Sequence, residues 1–172
     1  RHLRQAPTHF HLLKKPCQAK SMYSQIETER LRIRPVLLDD KRFILDLVNT
    51  KAWLQFIGDR NVKDEKEAEE YIQRILNNRQ FFYNVFEIKE TRQPIGIVSF
   101  LYRANFQFPD IGFAILPEFE NKGYTFEATE AYLNEVKSTI AENKILSITL
   151  PDNENSIRLI EKLGLKYEDE YI

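Results

Sequence analysis

Cysteine and histidine are scarce in this 172-residue chain, and each scarcity limits its chemistry. The single cysteine, Cys17, cannot form an internal disulfide, and no Cys/His cluster has the spacing of a zinc site. All three histidines, His2, His9 and His11, lie near the start of the sequence. A general base elsewhere must therefore be a carboxylate, another side chain or water. The sequence predicts a metal-free protein of a reducing compartment, the cytoplasm.

Long apolar runs are also missing, which predicts a soluble protein that does not enter a membrane. The net charge of −1 is unevenly distributed, since residues 1–21 carry +5 and the remainder carries −6. A general nucleic-acid binder needs a basic face, so the acidic body argues against nucleic acid as a partner. It is compatible with a cationic substrate such as an amine.

The length predicts one domain with a continuous hydrophobic core. Residues 1–21 show neither helical nor strand periodicity, and the only methionine, Met22, follows them. We interpret residues 1–21 as a disordered or non-native tail and 22–172 as the single domain. An Arg-rich organellar targeting segment is the alternative for the tail.

The first half of the domain predicts a strand followed by two helices. Residues 30–34 alternate between polar and apolar before Pro35, as a strand with one wet face does. Asp39 or Asp40 would cap the first helix, and Asp64 with Glu67 would cap the second. Residues 53–60 between them form an aromatic-rich loop, which is either packed or a wall of an acceptor pocket.

The second half predicts three strands, a helix, a strand, a helix and a final strand. The strands are predicted at residues 81–88, 95–102, 111–116, 145–150 and 165–172. The first of these helices would turn Phe126 inward and Glu127 towards water, and Asp152 and Asn153 would cap the second. A strand–helix–strand unit over 111–150 requires that its two strands pair in parallel. We therefore predict an α/β fold with a mixed sheet and helices on both faces.

The junction from Pro117 to Ala128 reads as a strand that turns into a helix. The first amides of a helix have no partner within it and lie at the positive end of its dipole, so they favour an anion. Gly123 would let a phosphate approach the main chain, and Lys122 adds a positive charge. An ordinary strand-to-helix connection with a surface lysine is the alternative.

Four segments, taken together, resemble the GNAT-type N-acetyltransferases, and more narrowly the RimJ/RimL-like branch. They are residues 29–35 (ERLRIRP), 110–117 (DIGFAILP), 121–128 (NKGYTFEA) and 153–165 (NENSIRLIEKLGL). The resemblance implies an enzyme that transfers an acetyl group from acetyl-CoA to a primary amine by direct attack. The acceptor would be a protein N-terminus or a small-molecule amine. The alternative is a non-catalytic acyl-CoA-binding module with the same fold.

The resemblance also implies where the cofactor would lie. The pantetheine arm would bond to the main chain of the strand around Phe113 and Ile115, in a gap between two strands that splay apart. Asn153 and Ser156 would face the pantetheine and the thioester. The pyrophosphate would rest on the loop formed by Asn121, Lys122, Gly123, Tyr124 and Thr125.

Acyl transfer needs a neutral amine, a stabilised oxyanion and a proton for the thiolate. Resemblance suggests a backbone N–H of the fourth family strand for the oxyanion. Asp110 is the candidate base, with Glu87 and Glu118 as weaker alternatives and a solvated strand-end carboxylate as the plain interpretation. Many relatives carry a tyrosine where this chain has Ile160, so Ser156 becomes the candidate proton donor or thiol-orienting group.

Further departures from the family pattern stand out. Glu120 places a carboxylate near the expected pyrophosphate, Asn121 replaces a common Gly, and Thr125 replaces a usual Gly or Ala. A like-charged neighbour weakens anion binding unless it points away or pairs with Lys122. The chain also stops before the final strand that relatives add. Truncation, disorder past Ile172, or completion of the edge by a second subunit in a homodimer would explain that.

Overall fold

A computed structural model gives the fold of residues 21–168. The predicted tail, apart from Ser21, and the last four positions of the predicted strand at 165–172 lie outside the described residues. In the described part of the chain, no helix combines the length and the apolar composition needed to cross a membrane.

The described residues form five strands and five α-helices. The strands are β1 Ile26–Glu27, β2 Leu31–Pro35, β3 Phe81–Ile88, β4 Pro94–Leu101 and β5 Asp110–Ile115. The helices are α1 Lys41–Val48, α2 Lys51–Phe56, α3 Glu65–Asn77, α4 Tyr124–Lys137 and α5 Glu154–Lys162. Short 3₁₀ turns at Leu38–Asp40 and Pro117–Phe119 precede α1 and α4.

The strands form one antiparallel sheet in the order β1-β2-β3-β4-β5. Residues that face each other include Ile33 with Phe86 in β2 and β3, and Ser99 with Gly112 in β4 and β5. The register shifts between Phe86 and Glu87, as at a β-bulge. The predicted hairpin over residues 81–102 is therefore confirmed.

Two hydrophobic cores lie on opposite faces of this sheet. Helices α1 to α3 cover one face, where Ile44, Leu47 and Ile72 are buried against Val85 and Ile97. Helix α4 covers the other, with the buried residues Tyr132, Leu133, Leu31, Phe86 and Ile111. This alternation of buried side chains confirms the predicted α/β fold class with helices on both faces.

The N-cap residues predicted for the helices in the first half of the domain are only partly correct. Asp64 caps α3, since its Oδ1 accepts a hydrogen bond from the Glu67 amide at 2.7 Å. Asp40 precedes α1 but caps none of its amides, because its carboxylate accepts two bonds from Arg34 and one from the Leu37 amide before the 3₁₀ turn, each at 2.8 Å. The prediction of a loop over residues 53–60 was wrong at its start, where Thr50 caps α2 through the Trp53 amide.

The predicted strand at 145–150 is reduced to one parallel bridge between Leu146 and Asp110. Beyond the bridge the segment diverges from β5, and Ile148 and Leu150 are nearly half exposed. A segment without a continuous partner strand cannot form a ladder of hydrogen bonds. Residues 165–168 likewise form no strand. The parallel part of the sheet is thus smaller than predicted.

We expect Gly96→Ala to destabilise the fold, because the strands approach each other most tightly there. A Cβ at Gly96 would lie 2.1 Å from Cζ of Phe86 and 2.6 Å from the carbonyl oxygen of Ala114. The backbone oxygen cannot move without disturbing β5, so the free energy of unfolding should fall by about 2 kcal/mol. Urea denaturation measures it.

The double variant Gly96→Ala/Phe86→Leu provides the control. It should lose less than the sum of the two single substitutions, because the clash with the ring is shared. An unchanged urea midpoint for Gly96→Ala would contradict the close approach.

Candidate functional site

Among the described residues, the outer edge of β5 has no partner over most of its length. The N–H and C=O groups of successive strand residues point to opposite edges. The Ile111 amide donates to the Leu146 carbonyl at 2.8 Å on the outer side, whereas the Leu116 amide donates to Ile95 on the inner side. Phe113 and Ile115 lie two and four residues after Ile111, so their N–H and C=O groups point to the same outer edge. This edge can pair with an extended ligand that carries amides.

The open edge begins where residues 145–150 leave β5. The Leu146 amide donates to the Pro109 carbonyl at 2.8 Å, and the Ser147 hydroxyl donates to the Ile111 carbonyl at 3.0 Å. No signal in the sequence had singled out Ser147. Together with the bond from the Ile111 amide to Leu146, these two bonds close the narrow end of a wedge-shaped gap, which opens from Ile111 towards Ile115.

The wide end of the gap leads to the start of α4. Gly123 is the N-cap residue with φ of 79°, a left-handed conformation that glycine adopts without strain. The Glu127 amide is the first to bond back into the helix, to the Gly123 carbonyl at 3.1 Å. The amides of Tyr124, Thr125 and Phe126 therefore precede the helical bonds, and they can donate to an anion.

The other predicted loop residues surround this helix start. Asn121 also has a positive φ, 60°, and is exposed. Lys122 is exposed with its Nζ 5.8 Å from the centre of the Phe119 ring. Glu120 is exposed, and among the described residues it forms no ion pair with Lys122. The cationic and anionic side chains of the loop are thus both exposed to solvent, and Lys122 lies over the Phe119 ring.

A cluster of four side chains holds the loop from the side of β2, and we call it the Arg30 clamp: Thr28, Arg30, Tyr124 and Glu127. The Arg30 guanidinium contacts Oε2 of Glu127 at 2.7 Å through both Nε and Nη2. Its Nη1 donates to the Lys122 carbonyl at 2.9 Å, and its Cζ lies 4.3 Å from the centre of the Tyr124 ring. Thr28 donates to Oε1 of Glu127 at 2.7 Å.

The prediction that Glu127 faces water was wrong, because the clamp buries most of its side chain. Burial alone would raise the pKa of Glu127. Hydrogen bonds from Thr28 and from the main chain and side chain of Arg30 outweigh it and hold that pKa below the ordinary value. The partners are nearly one hundred residues apart in sequence, so no local pattern could reveal them.

The neighbouring residue Phe126 was predicted to face inward. In the structure, Nζ of Lys162 lies over its ring, 4.1 Å from the ring centre.

Asp110 lies at the narrow end of the gap, on the face covered by α1 to α3. Its carboxylate is almost fully buried, and Oδ2 accepts a hydrogen bond from Nε of Arg103 at 2.8 Å. Burial raises the pKa of Asp110, and the Arg103 contact only partly offsets that rise. A buried carboxylate with a raised pKa can exchange a proton with a nearby amine or water.

The two weaker candidates for the base have different surroundings. Glu87, like Asp110, is buried and ion-paired: Arg34 donates to its Oε2 at 2.9 Å, within a network that also ties Arg34 to Asp40. Glu118 lies exposed in the turn before α4, where it is solvated. Glu87 therefore differs from Asp110 in belonging to a larger ion-pair network on β2 and β3, away from the open edge of β5.

Several hydroxyl groups lie among the apolar side chains on the face that carries Asp110. Ser99 and Gly112 face each other across β4 and β5, and a Cβ at Gly112 would lie 2.7 Å from Oγ of Ser99. The neighbouring Tyr83 is buried, and its hydroxyl lies 3.5 Å from that of Tyr71. These hydroxyls line the sheet next to the narrow end of the gap.

Asn153 and Ser156 lie at the start of α5, as predicted. The Asn153 side-chain oxygen accepts a hydrogen bond from the Ser156 amide at 3.3 Å, so Asn153 caps this helix. Ser156 and Ile160 are partly buried. The predicted residues therefore form two groups: the edge of β5 with the α4 loop, and the start of α5 that follows the diverging segment.

Comparison with known proteins gives a consistent result. The acetyltransferase (GNAT) domain family matches residues 30–166, most of the chain. The chain is 25% identical over 151 residues to the uncharacterized N-acetyltransferase YoaA of Bacillus subtilis (strain 168), covering 86% of this chain and 85% of that protein.

Two solved structures share the fold at low identity. A RimL ribosomal L7/L12 alpha-N-protein acetyltransferase in complex with coenzyme A aligns with a TM-score of 0.72 and 16% identity, over 83% of each chain. Spermidine N-acetyltransferase from Vibrio cholerae, in complex with CoA and spermine, aligns with a TM-score of 0.71 and 20% identity, over 83% of this chain and 84% of that one.

Glu127→Gln should lower the free energy of unfolding by about 1 kcal/mol at neutral pH, because the clamp loses a charged partner that is only partly exposed. The folded-state pKa of Glu127 lies below its ordinary value of 4.5. Its contribution is therefore complete above that value and disappears as the pH falls through the folded-state pKa. Urea denaturation from pH 7 to pH 3 should show the two proteins converging.

The matched control is Glu130→Gln, an exposed glutamate in the same helix. It should leave the stability at neutral pH nearly unchanged. A constant difference between wild type and Glu127→Gln at every pH would contradict an ion pair.

Proposed function

The chain belongs to the GNAT acetyltransferase family and is an acyltransferase, and on that premise we propose that it acetylates a primary amine with acetyl-CoA as the acetyl donor. The observation that carries this proposal is the continuity of two binding surfaces. An open strand edge at Phe113 and Ile115 leads directly to free helix amides behind Gly123.

The cofactor would occupy both surfaces at once. The pantetheine amides would pair with the outward main-chain groups of Phe113 and Ile115. The diphosphate would accept hydrogen bonds from the loop Asn121, Lys122, Gly123, Tyr124 and Thr125, with Lys122 free to swing towards it. Glu120 lies in solvent without a fixed orientation, so it can turn away from the anion. The thioester would then reach the narrow end of the gap.

The acetyl transfer would proceed by direct attack. The amine nitrogen bonds to the thioester carbonyl carbon, the carbon–sulfur bond breaks, and the amine proton leaves to Asp110, directly or through water. An amide of β5 would stabilise the oxyanion. The Ser156 hydroxyl would donate to the departing thiolate, and Asn153 would position the start of α5 beside the pantetheine.

The acceptor would approach Asp110 from the face covered by α1 to α3. The similar proteins with solved structures act, by their names, on the N-terminus of a ribosomal protein and on spermidine. Both acceptors present a primary amine. The buried carboxylate of Asp110, at the narrow end of the gap, could accept a proton from such an amine. A cytoplasmic location and completion of the sheet edge by a second subunit stay predictions from the sequence.

The proposed function predicts release of free CoA thiol from acetyl-CoA in the presence of the correct amine. The wild-type protein should bind CoA in titration calorimetry and accelerate thiol release with a member of a panel that contains polyamines, small amines and peptides with free N-termini. Tight CoA binding without acceleration by any acceptor would contradict the proposed transfer, and absence of CoA binding would contradict the site itself.

Asp110→Asn and Ser156→Ala separate the two proposed roles once an acceptor is known. A base works in its deprotonated form, so the wild-type rate should fall as the pH drops through the raised pKa of Asp110. Asp110→Asn should reduce kcat by about a hundredfold and lose this acidic decline. Ser156→Ala should lower kcat by about tenfold and keep the decline.

Ser138→Ala serves as the matched control for the serine, since Ser138 is an exposed residue at the end of α4. It should leave kcat and KM unchanged. An Asp110→Asn variant with the wild-type rate and pH profile would exclude Asp110 as the base.

A further inference from the structure

We propose that Arg30 is the positioning residue of the diphosphate site: it sets the orientation of the loop amides before the ligand binds. This assignment rests on the proposed CoA site. The anion-binding pattern of the loop did not include Arg30, and the resemblance included it only as part of the strand segment 29–35, with no role at the cofactor site.

The geometry of one peptide unit carries the proposal. Nη1 of Arg30 holds the Lys122 carbonyl at 2.9 Å. In a planar trans peptide the C=O and the following N–H point in opposite directions. A Lys122 carbonyl fixed towards Arg30 therefore directs the Gly123 amide away from it, to the side where an anion can accept the bond. Without Arg30 this peptide could rotate and present its oxygen to the diphosphate.

The guanidinium can perform this task because it is fixed on three further sides. Glu127 binds Nε and Nη2, and the Tyr124 ring stacks on its face at 4.3 Å. Nη2 also lies 3.4 Å from the position of a Cβ at Gly123, so the loop packs directly over it. An arginine presents donors in a rigid fork, whereas a lysine ammonium could not bind the carbonyl, stack and pair with Glu127 in this arrangement.

The clamp also links the loop to the body of the protein. Glu127 accepts a bond from the Arg30 amide at 2.9 Å in addition to the side-chain contacts. The residues before β2 and the first turn of α4 are thereby fixed relative to each other. A preorganised loop loses little conformational entropy on binding, which favours affinity.

The test compares two ligands that share the pantetheine arm. CoA carries the diphosphate and pantetheine does not. A substitution that disturbs only the loop amides should therefore change the affinity for CoA and leave the affinity for pantetheine unchanged. We expect Arg30→Ala to raise the Kd for CoA by about tenfold and to leave the Kd for pantetheine unchanged. Arg30→Lys, which keeps the charge and is the better candidate to fold, should still raise the Kd for CoA severalfold.

The matched control is Arg42→Ala, which removes an exposed arginine of α1 that pairs with Asp46. It should keep the wild-type Kd for both ligands, which excludes a simple effect of net charge. Titration calorimetry gives the Kd for CoA, ligand-observed NMR gives the Kd for pantetheine, and thermal denaturation confirms that each variant is folded.

Three results would overturn the assignment in distinguishable ways. A wild-type protein that does not bind CoA would overturn the proposed function and this inference together. CoA binding by wild type with an unchanged Kd for both Arg30 variants would overturn the positioning role alone. An equal loss of affinity for CoA and pantetheine would show that Arg30 supports the whole fold and has no special role at the diphosphate.

Discussion

The unequal pairing of β5 is the constraint on which the rest of this structure depends. On one side the strand pairs with β4 over six residues, and on the other the described part of the chain meets it at a single bridge beside Leu146. Backbone groups left without partners are costly when they are buried, so this edge must remain wet or be covered by a ligand. The strand then leads to a helix whose first amides also lack hydrogen-bond partners. A ligand with an amide-containing chain that ends in phosphates could provide partners for the strand edge and for the helix amides.

The two ends of the proposed site are supported in different ways. At the narrow end, backbone bonds and the Ser147 hydroxyl hold the strands together, and Asp110 is buried beside them. At the wide end, side chains distant in sequence fix a short glycine-containing turn. In the proposed mechanism, the chemistry and the affinity for the cofactor would therefore be controlled by separate groups of residues.

Much of this arrangement could be predicted from local patterns. Two aromatic and β-branched runs, separated by residues 89–94, identified the hairpin of β3 and β4, and Gly123 marked the start of α4. The Arg30 clamp could not be predicted, because a partly buried ion pair between residues far apart leaves no periodic signal. The strand predicted at 145–150 shows the reverse case, in which a local signal exists but the tertiary partner does not. The composition of this segment favours a strand. A strand also requires a neighbouring strand, and the segment loses that neighbour where it diverges from β5.

Placing the hydrophobic cores on opposite faces of one sheet has an evolutionary consequence. Helices α1 to α3 contact one face, and the cofactor loop and α4 belong to the other. If the amine approaches from the first face as proposed, substitutions among its helices would reshape the acceptor side while the backbone of β5 and the α4 turn stay in place. A lineage with this architecture could then change the amine it modifies without having to rebuild its donor site.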